Sequence, residues 1–293
     1  NGGDISSNGG DITITGSSTN AAGAQISGSD IDSAGGDIVI HGEGPTSTGL
    51  IVSSAHIASG AGNISLSGLG GGFGAGVSIG QESSVSTTTG DVDIDGTSSS
   101  YVGVQLNVGD VATTSGDIRI AGTGGTVGVR LFSGDVATTS GDIYITGIGG
   151  SDAGLRLDTA SDVDAGSGLV ALAASNAGAS DAIVLQGSIA STTGVNLRSA
   201  NEADTILLGA GNGFSLTSAE LATIDSPLLV IGSAEHSGSI RVAEAVDWDG
   251  DLTLQNEGGT GDIDIQAAVD VGDNILALAS GGDISQASTG GIT

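Results

Sequence analysis

A short motif recurs through the first half of the chain at a nearly constant spacing. Each copy starts with Asp or Asn, follows a Gly, and continues with apolar residues that alternate with variable ones. The six copies are DITITG from Asp11, DIVIHG from Asp37, NISLSG from Asn63, DVDIDG from Asp91, DIRIAG from Asp117 and DIYITG from Asp142. The steps between successive start positions are 26, 26, 28, 26 and 25. An alternation with a period of two predicts strands that bury one face.

Two further series of apolar residues keep the same spacing. One series ends at Ile26, Val52, Ile79, Leu106, Leu131 and Leu157. The other is centred on Ile31, Ile57, Val85, Val111, Val136, Val163 and Ile189. Each repeat therefore contains three short strands, separated by turns that are rich in Gly, Ser and Asn.

One such repeat cannot bury its apolar edge alone. A second repeat stacked about 4.8 Å away can pair with it strand for strand, so that inward Ile, Val and Leu side chains form continuous columns. Parallel crossover connections are almost always right-handed. The sequence therefore predicts an all-β fold, a right-handed parallel β-helix (β-solenoid) with three strands per coil. In the first two-thirds of the chain the predicted coil has about 26 residues.

The repeat loses its regular spacing towards the end of the chain. We predict a regular solenoid over residues 1–194 and a continuation of the same solenoid, with irregular and shorter coils, over residues 195–293. In the second part, SAELATI from Ser218 predicts a short helical turn, and Pro227 predicts a corner because proline cannot donate a ladder hydrogen bond within a strand. In the first part, the Gly-rich segment GLGGGFGAG from Gly68 is predicted to be an insertion, which would explain the 28-residue step from Asn63 to Asp91.

The composition agrees with a narrow core of small aliphatic side chains. Of 293 residues, 38% are hydrophobic but only 2% are aromatic, and 55 are Gly. The chain is too apolar for a disordered segment. Its formal charge of −29, from 34 acidic and five basic residues, makes nucleic acid a poor partner because phosphate binding needs basic clusters. The chain has no Cys, so disulfides cannot stabilise it.

The second part carries a family resemblance. The segments GFSLTSAELATIDSPLLVIGSAEHSGSI from Gly213, DLTLQNEGGTGDIDIQ from Asp251 and ILALASGGDISQ from Ile275 are similar to the repeat region of filamentous haemagglutinin-like β-helical exoproteins. The shared patterns are LT-x-AEL, L-x-IG followed by SG-x-I, and L-x-L-x-x-GG-x-I-x-Q. The resemblance is most specific from Gly213 to Gln286. The family's amino-terminal secretion domain is not recognisable in this chain, which we expect to be a segment of a longer protein.

The resemblance implies a function and a location. Members of this family are rod-shaped, leave the bacterium by two-partner secretion through an outer-membrane transporter, and act in adhesion or biofilm formation. The chain is therefore expected to be a secreted, extracellular or cell-surface stalk or adhesin segment, with no catalytic residue and no cofactor. Its expected partners are a host or neighbouring-cell surface and a matrix polysaccharide or protein.

Two other functions remain open at this stage. One is a β-helical carbohydrate-active enzyme or sugar-binding spike, which would need carboxylates and aromatic side chains that converge in a groove. The other is a subunit of a head-to-tail filament, because solenoid ends expose unpaired strand edges that allow end-to-end self-association.

The Asp or Asn residues that begin the six motif copies are predicted to stack in one column at a turn, which we call the turn column. Its members are Asp11, Asp37, Asn63, Asp91, Asp117 and Asp142. The favoured interpretation is that each side chain accepts a backbone N–H at the turn into the strand, since Asn can then replace Asp. The alternative is calcium binding between stacked carboxylates. A second calcium motif, ADTILLGAGNGF from Ala203, is a single imperfect copy of a repeat that needs tandem copies.

The remaining polar and aromatic residues give weaker signals. His41, His56 and His236 have no metal-binding spacing, so we expect them to be solvated turn residues. Arg130 and Arg156 are expected to stack at one outward position, either as an anion site or balanced by nearby acidic residues.

Two further expectations concern side chains on the outer surface. Arg119 is expected to form a ladder salt bridge with Asp93. The repeat brings no two of Trp248, Tyr101 and Tyr144 together as a sugar platform, which disfavours an enzyme.

Overall fold

A computed structural model describes residues 3–292 as a parallel β-solenoid of about eleven coils, which confirms the predicted all-β coil with three strands. The first eleven strands are β1 (Ile5–Ser6), β2 (Ile12–Ser17), β3 (Ala24–Ser27), β4 (Ile31–Asp32), β5 (Ile38–Gly44), β6 (Leu50–Ser53), β7 (His56–Ala58), β8 (Ile64–Gly70), β9 (Val77–Ser86), β10 (Val92–Ser98) and β11 (Val104–Thr113). The next ten are β12 (Ile118–Gly124), β13 (Val129–Phe132), β14 (Val136–Thr138), β15 (Ile143–Gly149), β16 (Leu155–Leu157), β17 (Asp162–Asp164), β18 (Leu169–Asn176), β19 (Ile183–Leu185), β20 (Ser188–Ala190) and β21 (Gly194–Ser199).

The second part of the chain contains the remaining strands and one helix. They are β22 (Ile206–Leu208), β23 (Phe214–Leu216), α1 (Ser218–Leu221), β24 (Ile224–Asp225), β25 (Leu228–Ser233), β26 (Ile240–Val242), β27 (Val246–Asp247), β28 (Asp251–Asn256), β29 (Ile263–Ile265), β30 (Val269–Asp270), β31 (Leu276–Ser280) and β32 (Ile284–Gln286). The helix confirms the helical turn predicted at SAELATI. A capping box between Thr217 and Glu220 satisfies its first backbone N–H groups.

The strands form three faces of a triangular coil. The first face is an eleven-stranded sheet in the order β2-β5-β8-β10-β12-β15-β18-β21-β25-β28-β31. The second face contains β3, β6, β13, β16 and β19 with the first halves of β9 and β11, and the third contains β1, β4, β7, β14, β17, β20 and β24 with the second halves of β9 and β11. Further along the chain, the second face continues as the sheet β23-β22-β26-β29-β32 and the third face as the pair β27-β30. At a rise of about 4.8 Å per coil, the eleven strands of the first face span about 48 Å.

Parallel, in-register pairing places like residues above one another along the axis. On the first face, Ile38, Ile64, Val92 and Ile118 form one inward column, and all four are fully buried. Because each inward residue meets equivalent aliphatic residues above and below, the core is a stack of columns. This arrangement needs few aromatic residues.

A pair of facing glycine columns forms the corner between the first and second faces. Gly122, the last residue of the DIRIAG motif, lies so close to the next strand that a Cβ atom would be 2.2 Å from the carbonyl oxygen of Gly128. Gly96 meets Gly103 and Gly147 meets Gly154 in the same way, at 2.2 and 2.0 Å. The terminal Gly of each motif is therefore fixed by the approach of two backbones at this corner.

The longest step between motif copies, from Asn63 to Asp91, adds its two extra residues in different places. On the second face Leu50 pairs with Val77, a step that exceeds the regular one by a single residue, so the Gly-rich turn before β9 holds only one of them. On the third face His56 pairs with Ser84, which exceeds it by two, so the second lies at the corner between these faces. There Gln81 and Glu82 both take left-handed conformations, with φ of 57° and 60°. The insertion predicted between Gly68 and Gly76 thus accounts for half of the added length.

The stacking is dislocated after β21. β22 and β23 follow one another in sequence yet pair in parallel, with Ile206 beside Phe214, through a loop of residues 209–213. On its other edge, β22 pairs with β26 of the following coil. Gly213, just before β23, forms a parallel bridge to Asp181, just before β19 in the preceding coil. On the second face, β22 therefore lies two levels beyond β19, and β23, which comes later in the sequence, occupies the level between them.

The other two faces adjust to this additional strand. On the first face only three residue pairs join β21 and β25, against six between β18 and β21, so these strands diverge after Leu197. On the third face, β24 and β27 do not pair in the described chain, and Trp248 and Ile224 line a cleft of about 240 Å³ between them. We call residues 200–256 the dislocated region.

Candidate functional site

The turn column of the six motif residues is a hydrogen-bonded ladder that runs along the axis. In each coil the side-chain Oδ1 accepts the backbone N–H of the equivalent residue one coil further on. The N to Oδ1 distances are 3.0 Å from Asp37 to Asp11, 2.8 Å from Asn63 to Asp37, 2.8 Å from Asp91 to Asn63, 2.8 Å from Asp117 to Asp91 and 2.9 Å from Asp142 to Asp117. The role needs one acceptor oxygen, which an Asn amide supplies as well as a carboxylate.

The glycine before each Asp or Asn belongs to the same column. A Cβ atom on Gly116 would lie 1.9 Å from the carbonyl oxygen of Gly90, one coil below. A Cβ atom on Gly141 would lie equally close to Gly116. The dipeptide that marks each repeat thus combines a residue without a side chain and a residue whose side chain bonds to the next coil.

The calcium hypothesis gains no supporting geometry from the described residues. Between residues 3 and 292, no group of three or more His, Cys, Asp and Glu is placed to hold a metal ion. The second calcium motif, from Ala203, instead forms β22, the loop of the dislocation and the start of β23.

A column of buried hydroxyl groups accompanies the turn column. Its members on the third face are Ser33, Ser59, Thr87, Thr113, Thr138 and Ser191, all at most 7% exposed. In a typical coil the Thr113 hydroxyl accepts the N–H of Gly116 at 3.1 Å and donates to the carbonyl of Gly90 at 3.3 Å. The threonine hydroxyls of this column therefore connect consecutive coils, whereas the Ser59 hydroxyl donates to Gly62 within its own coil.

The prediction that all three histidines are solvated turn residues is wrong. His41 lies in β5, with Nδ1 2.9 Å from the Ser67 hydroxyl, and His56 lies exposed in β7. His236 is completely buried in the dislocated region. His236 lies in the turn after β25, beside Glu202, and its local sequence carries no repeat that would indicate burial.

A polar cluster surrounds His236 where β21 and β25 diverge. Glu202 Oε1 accepts a bond from Arg198 at 3.0 Å, and its Oε2 lies 3.7 Å from His236 Nδ1, beyond hydrogen-bonding distance. Both ring nitrogens of His236 are buried without a partner among the described residues. Loss of hydration lowers the pKa of His236, and attraction to Glu202 and Asp204 opposes this effect only in part.

All five arginines pair with carboxylates. Their partners are Asp117 and Asp91 for Arg119, Asp158 for Arg130, Asp152 for Arg156, Glu202 for Arg198 and Asp264 for Arg241, at 2.7 to 3.8 Å. The predicted bridge from Arg119 to Asp93 is wrong in its partner: these two are neighbours in register, but Arg119 reaches Asp117 at 2.7 Å. Arg130 and Arg156 do stack in register, as predicted.

Two of the predicted aromatic residues lie far apart in the register and in different settings. Tyr144 lies in β15 beneath Arg119, and its hydroxyl donates to Asp142 at 2.8 Å, which raises the pKa of Tyr144. Trp248 is 6% exposed and lies in the third-face cleft. Neither offers an open platform.

Tyr101 lines a shallow pocket on the second face together with a residue that the sequence reasoning missed. The pocket has a volume of about 240 Å³ and is lined by Tyr101, Gln105, Asn107, Arg130 and Phe132. Tyr101 and Phe132 are 37% and 45% exposed. Phe132 pairs with Asn107 and follows the last inward residue of β13, so a large apolar side chain at an outward position was the available signal.

Neither a family model, nor a curated protein sequence, nor a solved structure matches the chain. The resemblance to filamentous haemagglutinin-like exoproteins stays a prediction. In residues 3–292, no helix has the length and apolar character needed to cross a membrane.

Proposed function

We propose that the chain is a structural stalk segment of a secreted bacterial surface exoprotein, which contributes to adhesion or to association with an extracellular matrix. The observation that carries this proposal is the use of side chains along the axis. In coil after coil, the Asx side chains and the buried hydroxyls bind the backbone of the adjacent coil. Such a molecule gains stability with each added coil and transmits load along its length.

Surface charge supports the same proposal. Every arginine is paired, and the excess of 29 negative charges faces solvent, which keeps neighbouring rods apart. The proposed location and export through an outer-membrane transporter rest on the family resemblance of the second part. The proposed partners are a cell surface and a matrix polysaccharide or protein.

A stalk acts through its length, and the repeat allows the length to be changed in whole coils. Deleting residues 92–142 removes two whole coils and joins Asp91 to Ile143. Asp91 is equivalent in register to Asp142, and Ile143 is equivalent to Val92, so the new junction repeats a native one. The chain has no Cys, so one Cys added at its end anchors it to a gold surface in a single orientation. Neutron reflectometry should then show a layer about 10 Å thinner, two rises of about 4.8 Å.

A matched variant that duplicates residues 92–142 should make the layer thicker by the same amount. A thickness that does not follow the number of coils would overturn the stalk proposal. A compact globular domain gives no reason for such proportionality. A β-helical enzyme would shorten in the same way, so cleavage of a polysaccharide by the intact chain would also contradict the stalk proposal.

A further inference from the structure

We infer that the second-face pocket between Tyr101 and Phe132 is a binding site for a neutral glycan. The inference concerns recognition rather than length, and it relies on the proposed function only for the extracellular setting in which a glycan is encountered. We call this pocket the Tyr101–Phe132 site.

The site spans the width of the second face over two adjacent coils. Tyr101 projects from the corner before β11, and Phe132 lies at the opposite corner, at the end of β13. Between them, Gln105 pairs with Arg130, and Asn107 pairs with Phe132. Two exposed rings therefore border a strip of polar side chains, as a sugar requires: its C–H faces stack on aromatic rings while its hydroxyls need hydrogen-bonding groups.

The polar groups of the strip are available to a ligand. In the described chain, the Tyr101 hydroxyl and the side-chain amides of Gln105 and Asn107 make no hydrogen bond, whereas the amide of the buried Asn256 is bonded to Gly238. Arg130 uses only Nε, at 3.1 Å from Asp158, and its guanidinium lies 5.2 Å from the centre of the Phe132 ring. The stack on Phe132 and the bond to Asp158 fix the guanidinium beside the pocket that Arg130 lines, and its other N–H groups make no hydrogen bond within the described chain.

The charge of the site selects the class of glycan. Arg130 is its single cation, and Asp158 already balances it. The surrounding molecule carries a net charge of −29, which repels uronate or sialate groups. None of the five lining residues is a carboxylate, so the site offers groups for binding and none for hydrolysis. A volume of about 240 Å³ admits one or two rings of a chain that continues along the surface.

The corners that present the two ends of the strip are conformationally fixed. Val108 and Ser133, directly after Asn107 and Phe132, occupy one column of left-handed residues, with φ of 58° and 55°. Such conformations persist when the surrounding structure determines them. Asn107 and Phe132 are thus held on a rigid frame before a ligand arrives, which lowers the entropy cost of binding.

Saturation-transfer NMR and calorimetry with the intact 293-residue chain test the inference. The probes are the neutral hexasaccharides of β-1,4-glucose, β-1,3-glucose and α-1,6-mannose, with trigalacturonate and sialyllactose as the charged comparison. We expect at least one neutral probe to bind, and its affinity to be nearly the same in about 0.05 and about 0.5 M NaCl because no ion pair forms. Tyr101→Ala and Phe132→Ala should each weaken binding about tenfold or more.

Phe73→Ala is the matched control, because Phe73 is 93% exposed on a loop outside the site. It should bind like the original chain, as should a Gln186→Ala variant. Gln105→Ala should weaken binding without changing the melting temperature, which separates loss of a contact from loss of fold. The inference is overturned if no neutral probe binds, if the charged probes bind more tightly, or if Phe73→Ala weakens binding as much as Phe132→Ala. None of these outcomes changes the layer thickness that tests the stalk.

Discussion

The regular coils before residue 200 and the dislocated region of residues 200–256 contain the same kinds of residues but treat buried polar atoms differently. In the regular coils, buried hydroxyls such as those of Thr87 and Thr113 find partners because the same backbone carbonyl recurs one coil away. In the described chain the buried side-chain atoms without a partner are His236 Nδ1 and Nε2, Trp248 Nε1 and Asn256 Oδ1, all in the dislocated region.

The comparison shows what the repeat contributes besides packing. A solenoid satisfies its polar groups by translation, so any acceptor that works in one coil works in all of them. One additional strand level removes that translation locally. In the dislocated region, a polar side chain has no equivalent residue one coil away with which to form a repeated bond. Arg198, Glu202 and His236 instead form a single cluster where the strands of the first face diverge.

The largest expected effect comes from filling the glycine corner of the regular coils. In Gly122→Ala, the new Cβ would lie 2.2 Å from the Gly128 carbonyl oxygen, and neither backbone can move without breaking the ladders above and below. We expect the free energy of unfolding, from urea titration, to fall by more than about 3 kcal/mol.

Ala174 provides the matched control, because it occupies the same column one coil beyond Gly147 and is completely buried. Ala174→Gly should cost only about 1 kcal/mol, since the corner there already accommodates a methyl group. If Gly122→Ala were as mild as Ala174→Gly, backbone approach would not be what determines the glycine.

The next effect is a pH dependence that belongs to the dislocated region. Burial lowers the pKa of His236 in the folded chain, so the unfolded chain binds this proton first as the pH falls below the ordinary value of 6.5. Stability is therefore lost as the pH decreases through 6.5 towards the folded pKa. His236→Leu removes this contribution and two unsatisfied nitrogens, and it should raise the unfolding free energy by about 1 kcal/mol at about pH 7.5, and by more at about pH 5.5.

Urea midpoints at the two pH values measure this difference. His56→Leu is the control, because His56 is exposed on β7 and tests the general effect of losing an imidazole. Equal changes in the two leucine variants between the two pH values would show that burial of His236 does not produce the effect.

Much of the regular part could be predicted because each sequence repeat corresponds to one coil of the solenoid. Three columns of aliphatic residues indicated the faces, and the Gly-Asx step indicated the turn into the first face. The dislocation could not be predicted, because β22 and β23 pair across the short loop 209–213. A single pairing of this kind leaves no repeated spacing in the sequence. The Tyr101–Phe132 site was missed for a related reason: Phe132 is a single outward residue, and its neighbourhood depends on which coil lies beside it.

The smallest effect tests what the turn column requires of its side chains. Asp37 Oδ1 accepts the N–H of Asn63 at 2.8 Å, near the surface. Asp37→Ala leaves that N–H to water and should lower the unfolding free energy by about 0.5–1 kcal/mol, whereas Asp37→Asn keeps the oxygen and should change it by less than about 0.5 kcal/mol. Asn63→Asp, the reverse exchange in the next coil, should be similarly mild. If Asp37→Asn cost as much as Asp37→Ala, the column would depend on negative charge. Added calcium would then have to stabilise the original chain more than the Asn variant.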